Sequence, residues 1–169
     1  MAKDTQGYTL IELSLVILLI GIVMSLTVPR IRYTLLTDDL KRGVRRMVST
    51  IKSLRNEAIH EHSTYYLNID LETRRFWIES ASMPREEREE NHESPVSLPD
   101  GVLILDVWIK GEGKKTSGLV TIRFNDRGYV SESIIHMGNH GGRSFTLVLS
   151  PFLKRVKILE GYVESEETT

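Results

Sequence analysis

The stretch Gly7-Tyr8-Thr9-Leu10-Ile11-Glu12, followed by an apolar run over residues 13–28, decides how the rest of the chain is organised. The run carries no charge, and its only polar side chains are two serines and one threonine. From residue 9 to residue 28 the stretch has twenty residues, which as a helix is enough for the roughly 30 Å of a hydrocarbon layer. The sequence therefore predicts a helix that spans a membrane.

The residues around Gly7 also resemble a known processing signal. A short polar leader that ends in glycine, an aromatic residue, then Thr-Leu-Ile-Glu and a long apolar helix is similar to the class III signal of type IV pilins and type II secretion pseudopilins. The resemblance implies that a prepilin peptidase cuts between Gly7 and Tyr8 and N-methylates Tyr8, where the family usually has phenylalanine. It also implies a helix kink at Pro29, twenty-two residues past Gly7.

Glu12 is the one carboxylate within the apolar segment. Its insertion costs roughly 2.5 to 3.5 kcal/mol, so it needs a partner or a function. If cleavage leaves an ammonium on Tyr8, a staggered second copy or a paralogue could place that ammonium beside Glu12 and so fix the register of assembly. The alternative is that Glu12 lies near the headgroups and reaches towards water.

An ordinary secretory signal peptide is the main competing interpretation of this segment. Its apolar region usually has about 7 to 15 residues and precedes a cleavage site of small residues. The run in this chain is longer, and Ser-Leu-Thr at residues 25–27 is a poor site. The flanking charges favour the opposite orientation, because Lys3 precedes the run whereas Arg30 and Arg32 follow it. The processing motif requires Gly7 on the cytoplasmic side.

Length and composition predict one folded domain after this segment. Of the 169 residues, about 130 to 140 remain, which is enough for a core of its own. The net charge of -1 gives no general attraction for nucleic acid or anionic lipid. No cysteine is present, so disulfides do not stabilise the domain.

Apolar side chains at spacings of three and four predict that the helix continues through residues 30–62. The predicted buried stripe consists of Leu36, Leu40, Val44, Met47, Ile51, Leu54 and Ala58. The opposite face is mostly basic and is interpreted as solvated, although a binding surface is the alternative. Its charged residues are Asp39, Lys41, Arg42, Arg45, Arg46, Lys52 and Arg55.

From residue 64 onward the sequence changes to strand patterns. A hairpin is predicted at residues 65–70 and 75–80, and a charged loop at residues 81–101. Further strands are predicted at residues 102–110, 119–124, 129–136, 144–149 and 155–159. This order predicts an α+β, pilin-like fold with a long N-terminal hydrophobic helix packed on an antiparallel sheet. Its parts are a leader (1–7), a transmembrane and filament-core helix (8–29), the amphipathic half of the helix (30–62) and a β-rich domain (63–169).

The pattern of residues 120–128, with a final strand that ends at Glu160-Gly161, resembles the H-type minor pseudopilins of type II secretion and related minor pilins. The resemblance implies a minor pseudopilin near the tip of a periplasmic pseudopilus that drives protein export. The implied partners are other pseudopilins or pilins through helix bundling, the prepilin peptidase and N-methyltransferase, and the bacterial inner membrane, crossed once with the C-terminal domain in the periplasm.

A minor type IV pilin, acting in pilus assembly or DNA uptake, is the alternative function. Its basic patch would consist of Arg143, Lys154, Arg155 and Lys157. The acidic tail argues against nucleic acid as a partner, and it contains Glu160, Glu164, Glu166 and Glu167.

No catalytic, cofactor or metal site is predicted, and the chain is not expected to be an enzyme or to bind a small-molecule substrate. The sequence contains no nucleophile elbow, paired-carboxylate signature or zinc-protease motif. The histidines lack ligand spacing and are expected at the surface or in turns. They are His60, His62, His92, His136 and His140.

Overall fold

The structure, a computed structural model, describes residues 10–93, 95–151 and 155–164, without the side chains of residues 24–38 and 93. The chain divides between residues 35 and 36 into two units. The elements are α1 (Leu10–His60), β1 (Tyr65–Asp70), β2 (Arg75–Ser80), α2 (Arg85–Glu93), β3 (Val96–Ser97), β4 (Val102–Ile109), β5 (Gly113–Lys115), β6 (Leu119–Phe124), β7 (Ser133–Asn139), β8 (Ser144–Leu149) and β9 (Lys157–Glu160).

The second half of α1 contributes one apolar stripe to the core of the domain. Six of the seven predicted positions are at most 4% exposed, namely Leu40, Val44, Met47, Ile51, Leu54 and Ala58. The seventh, Leu36, has no described side chain. The helix ends where His62 adopts a φ of 49° and the Ser63 amide donates to the carbonyl oxygen of Ala58 at 3.2 Å. A left-handed residue just past the last turn is a common way to satisfy the final carbonyls.

The first sheet has the strand order β3-β2-β1-β6, and all its pairs are antiparallel. The predicted hairpin is confirmed, with Tyr65 opposite Ser80 and Asp70 opposite Arg75. The Asp70 carboxylate accepts hydrogen bonds from the amides of residues 72 and 73 and so stabilises the turn. Strand β6 alternates between exposed and buried residues, which gives the sheet one inward-facing side.

The second sheet has the strand order β5-β4-β7-β8-β9, again antiparallel throughout. Val107, Ile135 and Leu147 lie opposite one another on three neighbouring strands, and none is exposed to solvent. They belong to one hydrophobic cluster with the stripe of α1 and the inner face of the first sheet. The β content is therefore divided between two sheets around a shared core, and not gathered in the single sheet that the order of elements predicted.

The predicted loop at residues 81–101 is wrong in part, because it contains α2 and β3. Helix α2 begins just after Pro84, and the Arg88 amide donates to the Pro84 carbonyl at 3.2 Å. Arg85 and Glu89 form an ion pair four residues apart at 3.1 Å, which favours a helix. The high charge and low apolar content that indicated a loop are thus those of an exposed helix, whose residues are mostly good helix formers.

Two predicted strands begin too early. The strand predicted at residues 129–136 begins at Ser133, because Asn125 and Tyr129 close a turn through a backbone hydrogen bond of 2.9 Å. Val130 makes a single bridge to Phe124 instead of a continuous ladder. The last strand begins at Lys157 instead of residue 155. The residues between the strands predicted at 102–110 and 119–124 contain the short strand β5.

Candidate assembly site

Of the predicted site residues, the structure describes some and not others. Gly7 and Tyr8, the predicted cleavage and methylation positions, lie outside the described residues. Pro29 lies within the bounds of α1, but its side chain is not described, so the predicted kink is not tested. Glu12, the predicted assembly residue, is described.

Glu12 lies in the first turn of α1 and is exposed. The neighbouring polar residue Ser14 donates its hydroxyl to the carbonyl oxygen of Ile11 at 2.8 Å. The serine hydroxyl is therefore satisfied within its own helix, and an apolar environment can accept it.

Apolar side chains surround this part of α1 on all sides. Their exposed fractions range from 43% at Val16 to 88% at Leu10. The exposed residues are Leu10, Ile11, Leu13, Leu15, Val16, Ile17, Leu18, Leu19, Ile20, Ile22 and Val23. A helix that is hydrophobic all round needs a partner surface or lipid to cover it. Among the residues that the structure describes, no helix is both long enough and apolar enough to cross a membrane.

One arginine of the basic helix face connects α1 to two loops. Arg55 is half-buried, and its Nε donates to the carbonyl oxygen of Gly128 at 2.6 Å. A longer contact of 3.4 Å joins its Nη2 to the carbonyl oxygen of Pro151. The interpretation of this face as solvated is therefore wrong at Arg55, although Arg45 and Lys52 are exposed.

The expectation that the histidines lie at the surface or in turns is wrong for His136, which is 2% exposed. Its Nδ1 lies 2.7 Å from Oδ1 of Asp106, and its Nε2 lies 3.0 Å from the carbonyl oxygen of Val163. The Tyr162 ring stacks on the imidazole with centroids 3.9 Å apart. The Tyr162 hydroxyl donates to Oδ2 of Asp106 at 2.9 Å. The other four histidines are exposed.

Lys114 completes this polar cluster from strand β5. Its Nζ lies 5.0 Å from the centre of the Tyr162 ring, 3.9 Å from Oδ2 of Asp106 and 3.6 Å from Oε1 of Glu164. The contact with Tyr162 raises the pKa of Lys114, and burial raises the pKa of the Tyr162 hydroxyl. Within the described ranges, no three His, Cys, Asp or Glu side chains are grouped closely enough to hold a metal ion.

Comparison with known proteins gives a clear match in fold. No protein-family model matches the chain, and no curated protein matches it. Solved structures do match it, and two of them are of EpsH, the minor pseudopilin of the type 2 secretion system of Vibrio cholerae. One has a TM-score of 0.52 and 13% identity, and covers 72% of this chain and 97% of its own. The other has a TM-score of 0.54 and 14% identity, and covers 75% and 98%.

The chain has the fold of a type II secretion minor pseudopilin. With identities of 13% and 14%, the likeness is one of fold. It confirms the predicted resemblance and the α+β class, with a helix and antiparallel sheets. The hydrophobic N-terminal part of the predicted fold is not tested by it.

On this minor-pseudopilin fold, the basic residues of the DNA-binding alternative do not form a patch of one charge. Arg143 lines a groove of about 320 Å³ together with Lys41 and Glu160, so a carboxylate lies among the cations. Arg155 and Lys157 are exposed, and Lys154 lies outside the described residues. No observation on the described residues favours nucleic acid as a partner.

Sequence reasoning missed the polar cluster of this minor-pseudopilin fold. Asp106 is a single acidic residue in an otherwise apolar strand, and that anomaly is the signal that could have indicated a buried partner. Its partner His136 lies thirty residues further on, so the pairing requires the register of β4 with β7.

Proposed function

We propose that this chain is a minor pseudopilin subunit of a type II secretion system. It assembles through its N-terminal helix, near the tip of the periplasmic pseudopilus that drives protein export. The observation that carries the proposal is the exposed and, apart from Glu12 and Ser14, apolar surface of residues 10–23 in a chain whose domain has the minor-pseudopilin fold. Such a surface is stable only when lipid or the helices of other subunits cover it.

The proposal includes the processing and location of the subunit. Residues 8–29 lie in the bacterial inner membrane before assembly, and the C-terminal domain lies in the periplasm. The prepilin peptidase removes residues 1–7 and methylates Tyr8. The role is structural: this chain catalyses no reaction and binds no cofactor, and its partners are other pseudopilins, the peptidase and the membrane.

Glu12 has a specific part in this assembly. In the bundle of helices, the ammonium of Tyr8 from one subunit lies beside the carboxylate of Glu12 from its neighbour. Removal of one partner from a buried ion pair costs about 3 to 5 kcal/mol, because the other charge stays buried without compensation. Since about 1.4 kcal/mol changes an equilibrium tenfold, loss of Glu12 weakens subunit association by roughly 100-fold or more.

The test is the variant Glu12→Ala in cells that carry the complete secretion system. We expect normal cleavage between Gly7 and Tyr8, seen by mass spectrometry as a mature chain that starts with methylated Tyr8. We expect normal membrane insertion but loss of secretion and of cross-links to sibling pseudopilins. Insertion itself becomes easier without the charge.

Two control variants make this test specific. Glu12→Asp keeps the charge and should retain most of the secretion. Ser14→Ala removes a neighbouring polar group whose hydrogen bond is internal to the helix, and should behave like the natural chain. Full secretion by Glu12→Ala would refute the pairing. An intact Met1 terminus in cells with an active prepilin peptidase would refute the proposed processing.

A further inference from the structure

The last described residues of the chain lie across the outer face of the second sheet. Asp106, His136 and Thr146 stand directly opposite one another on β4, β7 and β8. Side chains alternate along a strand, so this polar row lies on the face opposite to the apolar row of the core. All three residues are at most 4% exposed. We call residues 161–164, which contact this row, the C-terminal strap.

Hydrogen bonds join the C-terminal strap to the polar row. The Thr146 hydroxyl donates to the carbonyl oxygen of Gly161 at 2.8 Å and accepts from the amide of Val163 at 2.9 Å. The Gly161 amide donates to the carbonyl oxygen of Ser144 at 2.8 Å. Further along the strap, Tyr162 and Val163 contact Asp106 and His136, two side chains that can gain or lose a proton.

The two contacts of His136 require two protons. The carbonyl oxygen of Val163 can only accept, so Nε2 must carry a proton to bond to it. An ionised Asp106 also can only accept, so Nδ1 must carry the second proton. The Tyr162 hydroxyl donates to Oδ2 of Asp106, and the Lys114 ammonium lies 3.9 Å from the same oxygen. The hydrogen-bond geometry therefore corresponds to an imidazolium between two acceptors.

Loss of one proton breaks one of these two contacts. A neutral imidazole has one donor nitrogen and one acceptor nitrogen. It therefore turns a lone pair either towards the carboxylate of Asp106 or towards the carbonyl oxygen of Val163. If Asp106 is protonated and His136 is neutral instead, the pair still holds two protons.

We propose that the C-terminal strap is a pH-dependent latch, held most tightly while the His136–Asp106 pair holds two protons and loosened when one is lost. The charged and titratable groups that face His136 are Asp106 of β4, Lys114 of β5, and Tyr162 and Glu164 of the strap itself. A rise in pH favours the loss of a proton, so the strap is held more tightly at low pH than at high pH. This inference does not rest on the proposed function.

The experiment is hydrogen exchange of the full chain in detergent micelles, from about pH 5 to about pH 9. Protection of the Val163 amide is the ratio of its exchange rate in an unstructured chain to its exchange rate in the folded chain. This ratio is taken at each pH, because the exchange rate of an unstructured chain itself rises with pH. We expect protection to fall about tenfold across the range, the equivalent of one net hydrogen bond. Protection of the Leu67 amide in the first sheet reports on global folding and should not change.

The decisive variant is Asp106→Asn. The amide of the new side chain can donate to Nδ1, so a neutral imidazole keeps its Nε2 proton for the carbonyl of Val163. We expect the strap of this variant to stay protected without dependence on pH. The control His140→Gln, at an exposed histidine, should keep the pH dependence of the natural chain.

A spectroscopic measurement tests the protonation directly. At a pH where the strap of the natural chain is protected, the nitrogen chemical shifts of His136 should be those of an imidazolium in the natural chain and those of a neutral ring in Asp106→Asn. Strap protection that is independent of pH in the natural chain would overturn the proposal. The same pH dependence in Asp106→Asn would overturn it too, and if that variant does not fold, the chemical shifts of the natural chain still decide.

Discussion

Replacement of Gly43 by alanine should have opposite effects on stability in two backgrounds. Gly43 is buried in α1, and a Cβ atom there would lie 2.9 Å from Cγ1 of Val102. The next distances, 3.5 Å to Cγ2 of Val102 and 3.6 Å to Cε of Met137, are ordinary contacts. Only the first contact is too short, and it is made to a β-branched side chain with few alternative rotamers. Gly43 therefore sets how closely α1 approaches β4.

Two opposing terms give the expected magnitude. Alanine in place of glycine stabilises a helix interior by about 1 kcal/mol. Overpacking of a well-packed core costs about 1 to 3 kcal/mol. We expect Gly43→Ala to lower the free energy of unfolding by about 1 kcal/mol. In a Val102→Ala background the clash is absent, and the same change should raise the free energy of unfolding by about 1 kcal/mol.

Urea unfolding of the four chains in mild detergent, followed by tryptophan fluorescence, completes the double-mutant cycle. Trp77 is 7% exposed and reports on loss of the domain. A coupling energy of about 2 kcal/mol between positions 43 and 102 is expected, within the usual range for residues in contact. A stabilising effect of Gly43→Ala in the natural chain would refute the argument from packing, as would a destabilising effect in the Val102→Ala background.

Three further predictions concern the domain. A fragment that starts at residue 33 should be soluble and should melt cooperatively when followed by circular dichroism. A fragment that starts at residue 63 lacks the helical layer of the core and should aggregate, and cooperative melting of this shorter fragment would contradict the prediction. Arg55→Met should lower the free energy of unfolding by about 1.5 to 3 kcal/mol because two carbonyls lose a charged donor, and Arg45→Met should have little effect in the same urea titration. Burial and the hydrogen bond to Glu61 raise the pKa of Tyr65 to about 12, so the neutral phenol stabilises the fold below about pH 10, and this contribution is lost as the pH rises from there to about 12. In Tyr65→Phe the free energy of unfolding should therefore fall less between about pH 10 and about pH 12 than in the natural chain, and an equal fall in both would contradict this.

The elements that could be predicted from the sequence are those with local signals. The α1 stripe and the β1–β2 hairpin follow from periodicity and from the four-residue break between the two strand patterns. Helix α2 could not be predicted, because charged residues without an apolar stripe are typical of both exposed helices and loops. The late start of β7 depends on a turn in which the side chain of Asn125 accepts from the amides of residues 127 and 129. That geometry cannot be deduced from strand propensity.

The candidate site was predictable only where it depends on local sequence. Glu12 stands out as a charge in an apolar run, whatever the fold. The burial of His136 depends on Asp106 and on the strap, which come from positions thirty residues before it and twenty-seven after it. No spacing rule joins three such segments, since only the sheet register brings them together.

The strands of the two sheets alternate along the sequence, and this order has a consequence for folding. Strand β6 pairs with β1, yet β4 and β5 of the other sheet lie between them in sequence. The hydrogen bond from Thr121 to Asn68 closes a loop of fifty-three residues. Neither sheet can therefore be completed before residue 124 has left the ribosome, and the second also needs β7, β8 and β9. Pairing at this separation is slow, so the domain should form late and in one cooperative step, with its unpaired strand edges exposed to neighbouring chains until then.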